Sequence, residues 1–63
     1  MKTLSITYTE EPNKVFANLD VAEVEWNSEN GGYVIIDMKT KEAQTRLHIP
    51  LYRVKEISVV EVL

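Results

Sequence analysis

Sixty-three residues with no cysteine and a single histidine make one small domain, and they exclude disulfides, cysteinyl metal sites and a histidine-based zinc site built from one chain. Aliphatic content is too high for disorder, glycine and proline number only two each, and no run is long enough for a transmembrane helix. The net charge of −3 is uneven: residues 1–32 set Glu10, Glu11, Asp20, Glu23, Glu25 and Glu29 against Lys2 and Lys14, whereas residues 33–63 set Lys39, Lys41, Arg46, Arg53 and Lys55 against Asp37, Glu42, Glu56 and Glu61.

That split, −4 against +1, permits head-to-tail attraction between copies or a local anion-binding patch. Ordinary solvated charge on a polar surface is the favoured explanation. A chain this short buries only about 60% of its unfolded surface. Scaffolds below roughly 70–80 residues usually draw on a disulfide, a metal or a partner chain. With the first two excluded, self-association is the expected source of stability. Lys2 is followed by alternating hydroxyls and aliphatics, not by a continuous apolar run, so a secretory leader is rejected and a cytoplasmic location expected.

In chain order, residues 2–9 alternate strictly, with Leu4, Ile6 and Tyr8 on one side and Thr3, Ser5, Thr7 and Thr9 on the other. This period of two predicts a half-buried strand, which Pro12 ends by opening a turn. Residues 14–27 are ambiguous. Val15, Leu19, Ala22 and Trp26 recur at helical spacing, with Asn13 as a potential cap. Valine density and the internal Asn18 and Asp20 disfavour a helix. The reading is a strand near Val15–Ala17, a turn at Asn18–Val21 and a strand over Ala22–Asn27.

Ser28 to Gly32 is a loop whose Asn-Gly and Gly-Gly steps supply positive φ. Tyr33–Met38 is apolar on both faces up to Asp37, as in a central strand or one meeting another subunit. Lys39–Glu42 forms a hairpin turn, and Ala43–Ile49 returns with Ala43, Thr45, Leu47 and Ile49 inward and Gln44, Arg46 and His48 outward. Pro50 ends that strand. Leu51–Val54 suits one 3₁₀ turn that brings Leu51 and Val54 together. Ile57–Val62 closes the chain, with Ile57 and Val59 facing opposite to Ser58, Val60 and Val62.

The stretch from Ile49 to Val59, a strand end, a proline-led turn and a new strand, has a weaker echo at Ala17–Trp26, with a leucine at each turn. Five or six short antiparallel strands with turns between them predict an all-β domain, either a bent sheet or a partly open small barrel. Three meandering strands, a 3₁₀ turn and a final strand over Tyr33–Val62 resemble the second half of SH3-type barrels. The likeness is topological. The paired tryptophans and aromatic cluster of the SH3 peptide groove are missing, so peptide recognition does not carry over.

The residues offer little chemistry. His48 is the one imidazole base, on an outward strand face beside Arg46, and nothing supplies an activated nucleophile beside it. Glu23 and Glu25 share a strand face, as do paired carboxylates in glycosidase or metal sites, but so short a chain has no walls for a pocket around them. Gly31-Gly32 lacks the helix and lysine of a phosphate loop. No enzyme activity, cofactor, metal, membrane or small-molecule substrate is expected.

Macromolecular binding fits better. Tyr33, Ile35, Val60 and Val62, together with Trp26 and Tyr8, exceed what one face of a small sheet can hide, which predicts a protein interface or homo-oligomer of adaptor or inhibitor type. The first alternative is a single-stranded nucleic-acid binder using Lys39, Lys41, Arg46, His48, Tyr52 and Arg53, with tyrosines as stacking platforms. An overall acidic chain argues against it. The second alternative is an acidic nucleic-acid mimic using the six acids of residues 10–29.

Overall fold

The structure, a computed structural model, describes all 63 residues, and it is all-β. Strands β1 (Lys2–Tyr8), β2 (Lys14–Leu19), β3 (Val21–Asn27), β4 (Tyr33–Lys39), β5 (Gln44–Pro50) and β6 (Val54–Glu61) form two three-stranded antiparallel sheets. Sheet A has the order β2-β1-β6 and sheet B the order β3-β4-β5. No helix is long and apolar enough to cross a membrane.

The central strand of each sheet carries the core. In β1 the alternation sends Leu4, Ile6 and Tyr8 inward; in β4 it sends Val34, Ile36 and Met38 inward. Leu19, Ala22 and Ile49 complete the buried set. Burying each aliphatic of this size contributes roughly 1.5–3 kcal/mol, so these few side chains dominate the stability of the domain. Tyr8 lies inside this core and drops out of the expected surplus of exposed apolar groups.

Residues 14–27 form strands, not a helix, and the expected turn at Asn18–Val21 contracts to Asp20 alone. A bulge supplies the bend. Lys2 pairs with Leu19 and Leu4 with Phe16, so β2 spends one extra residue against β1. Within that extra length Asn18 takes φ 58°, a left-handed conformation that asparagine tolerates. The Asp20 N–H then donates to the Lys39 carbonyl at 2.8 Å and ties the corner to sheet B. One bent strand, β2–β3, thereby serves both sheets.

The sequence echo marks the second corner. β5 of sheet B passes through the 3₁₀ turn Leu51–Arg53 into β6 of sheet A. Leu19 is buried at one corner, while Leu51 packs half-buried against the core at the other, beside Val54. At the second corner the Leu51 N–H donates to the Gly32 carbonyl, and Gly32 has φ 87°. A Cβ on Gly32 would run into Leu51 Cδ1, so the close approach requires glycine. The loop before it folds into a 3₁₀ turn at Glu29–Gly31, with the Glu29 N–H donating to Asn27 Oδ1 at 2.8 Å.

No backbone ladder joins β5 to β2 or β6 to β3, so the barrel is partly open. The inward set of β5 is also shorter than its alternation suggests. Ile49 is buried and Leu47 half-buried, but Thr45 is exposed and Ala43 precedes the strand. Ala43 instead closes the hairpin, its carbonyl accepting from the Thr40 N–H at 2.8 Å.

Candidate interaction surface

Register assigns every side chain of the two sheets to a face. On the outer face of sheet B, Glu25, Ile35 and His48 form one row, Glu23, Asp37 and Arg46 the next, and Asn27, Tyr33 and Pro50 a third. Here one pair of opposite charges is joined directly. Arg46 Nε donates to Asp37 Oδ1 at 2.7 Å and a terminal nitrogen donates to Oδ2 at 3.3 Å. That hydrogen bond holds the Asp37 carboxyl below its ordinary range and raises the Arg46 guanidinium, to which Glu25 adds a smaller attraction. Tyr33 meets His48 edge-on, ring centres 4.4 Å apart. Tyr33 and Ile35 are accordingly half-buried beneath polar neighbours.

The outer face of sheet A differs. Val15, Ser5 and Ser58 form one row, and Thr3 lies beside Val60. Valines and hydroxyls make up this face, and within the β1–β6 pairing Glu56, opposite Thr7, is its one charge. Val59, Val60 and Val62 are 41%, 56% and 52% exposed. The four candidate interface residues therefore fall on two sheets. Val60 and Val62 belong to an open aliphatic surface on sheet A; Tyr33 and Ile35 belong to the polar face of sheet B. Trp26 lies on the inward face of edge strand β3, opposite Val34, yet remains 56% exposed near the barrel opening.

The edge of β6 adds backbone groups to this surface. The Val62 N–H donates to the Met1 carbonyl at 2.6 Å and the Met1 ammonium to the Val62 carbonyl at 3.3 Å. Antiparallel bonded pairs alternate, so Thr3/Val60 and Ser5/Ser58 are bonded pairs too. The N–H and C=O groups of Ile57, Val59 and Glu61 then point away from β1, off the free side of the sheet. The last strand does lie at the end of a sheet, where the sequence reading put a strand able to pair with a neighbour; the direction of its free backbone groups comes from the register with β1.

The candidate nucleic-acid residues do not form one groove. Arg46 is held by Asp37. Arg53 donates to both Glu11 carboxylate oxygens, at 2.7 and 2.9 Å, and its guanidinium lies 5.7 Å from the Tyr8 ring centre. Lys39 and Lys41 flank the β4–β5 hairpin, while Tyr52 and Arg53 lie at the opposite end of β5, and His48 contacts Tyr33. Tyr52 is 77% exposed above a shallow hollow shared with Thr9, Glu10, Glu11 and Arg53. The six acids likewise separate, into the bend after β1, the Asp20 corner, the outer face of β3 and the Glu29 turn. No group of three or more His, Cys, Asp or Glu side chains is arranged to hold a metal ion. Comparison of the chain with protein-family models, curated proteins and solved structures finds no match.

Proposed function

We propose that this chain is a non-enzymatic binding module that self-associates and acts through protein–protein contacts, as an adaptor or inhibitor. One observation carries the reading: Val60 and Val62 stand open to water on the outer face of an edge strand, continuous with its valines and hydroxyls, and Val59, on the inward side of the same edge opposite Leu4, is itself 41% exposed. Exposed apolar groups that adjoin one another on a soluble domain usually mark an interface. An uncovered strand edge invites pairing with another chain. A single-stranded nucleic acid is the second reading, favoured only by the exposed Tyr52 beside Arg53. Its basic side chains are dispersed and two of them are already paired with carboxylates.

Light scattering on the purified protein, with and without a short single-stranded oligonucleotide, tests both. The expected mass is a multiple of the 7.3 kDa chain, unchanged by the oligonucleotide. Because Val60 points outward and is half exposed, Val60→Asp should leave the circular dichroism spectrum intact while reducing the mass to that of one chain. A wild-type oligomer in that variant counts against the reading, and a rise in mass with oligonucleotide replaces it.

A further inference from the structure

Resting on the self-association reading, the geometry points to a specific partner for the β6 edge: a second copy of β6, antiparallel, on a two-fold axis at Ser58. Of the sheet edges, this one is the longest and has the most exposed large aliphatics, alongside Lys55, Glu56 and Glu61. β3 exposes Glu23 and Glu25, β5 exposes Arg46 and His48, and β2 is six residues long and bent at Asn18. β6 runs for eight residues, and its one irregularity against β1 is at Lys55, near its start. It packs on β1 along its length and on the 3₁₀ turn at its beginning. A symmetric contact between identical edges closes on itself and stops at a dimer.

The free backbone groups restrict the register. Ile57, Val59 and Glu61 offer their N–H and C=O outward, so bonded pairing requires odd-numbered residues opposite odd-numbered ones. Among such registers, centring on Val59 sets Glu61 against Ile57 and Glu56 against Val62, leaving both acids beside aliphatics, whereas centring on Ser58 leaves only Glu56 so placed, opposite Val60. Centring on Ile57 sets Val59 against Lys55 and requires Arg53, in the 3₁₀ turn, to act as strand. Centring on Ser58 sets Ile57 against Val59 twice, so that each half-exposed Val59 meets an isoleucine. It also sets Lys55 against Glu61 twice, with opposite charges at both ends of the contact. Direct cross-strand pairs of these kinds are favourable, whereas like charges in those positions are not. The pairing would join the two A sheets into one six-stranded sheet.

The chain has no cysteine, so an introduced thiol reports this register cleanly. On the axis, Ser58 would face its own counterpart in a non-bonded antiparallel pair, with Cα atoms about 4.5 Å apart, inside the range a disulfide spans. In the same register Val60 faces Glu56, so two Val60→Cys thiols would lie about four residues apart along the strands, beyond disulfide reach. In glutathione buffer, Ser58→Cys should become a covalent dimer at least tenfold faster than Val60→Cys. Glu61→Lys should raise the dimer dissociation constant, and Lys55→Glu combined with Glu61→Lys should restore it. If both thiol variants and the wild type are monomers by light scattering, self-association itself is wrong and this pairing falls with it. If the wild type is dimeric but Ser58→Cys crosslinks no faster than Val60→Cys, association stands and the β6 pairing is overturned.

Discussion

Sheets A and B have the same number of strands and similar central strands, but they treat their outer faces differently. Sheet B finishes its surface within one chain. Ile35 and Tyr33 lie under His48 and neighbouring polar groups, and Arg46 grips Asp37. Sheet A leaves its outer face to valines and hydroxyls, and its edge strand exposes Val59, Val60 and Val62. The contrast separates two uses of aliphatic residues. Those of β4 stabilise the fold; on β6, Val54 and Ile57 pack against the core, whereas Val60 on the outer face contributes little to it and remains available to another surface.

The largest effect should come from the core shared by both sheets. Ile36 is fully buried, and Ile36→Ala should cost about 2–5 kcal/mol, enough to unfold much of so small a domain. Val60→Ala, read by denaturant titration at concentrations that keep chains single, should change stability by no more than about 0.5 kcal/mol. Equal losses at the two positions would erase the distinction between a folding role and a surface role.

A smaller effect sharpens the description of sheet B. Asp37 has a lowered pKa because Arg46 donates to its carboxylate, so it binds its proton less readily folded than unfolded. The resulting stabilisation is present above the ordinary carboxylate range, near pH 4, and is lost as pH falls through the depressed folded value. Thermal melts taken across that acid range should therefore lose less stability in Asp37→Asn than in the wild type. Parallel curves would mean that solvent screens the exposed pair completely.

Both central strands were legible by different signals: strict alternation in residues 2–9 puts Leu4 and Ile6 on one face, whereas the unbroken apolar run Tyr33–Ile36 suggested a central strand without saying which of its faces is the core. The corner at Asp20 was harder. Its sharpness depends on a bulge at Asn18, which exists only relative to β1, so the local sequence showed a turn but placed it over four residues. The surface was least legible of all. Tyr33 and Val60 look alike as apolar strand residues, and what distinguishes them is the neighbouring strand: His48 covers Tyr33, whereas Val60 lies on a sheet edge. Arg46 and Arg53 read as free cations until the fold brings Asp37 and Glu11 against them.

The hydrogen bonds between Met1 and Val62 have a kinetic consequence. Sheet B zips from successive hairpins, but the β1–β6 ladder must bring together the two extremes of the chain and pay for closing the largest loop available. High average separation between partners in sequence puts barrels of this topology in the millisecond-to-second range of folding. Stopped-flow refolding should find this domain there, and a microsecond relaxation would mean that the ends are already close in the unfolded ensemble.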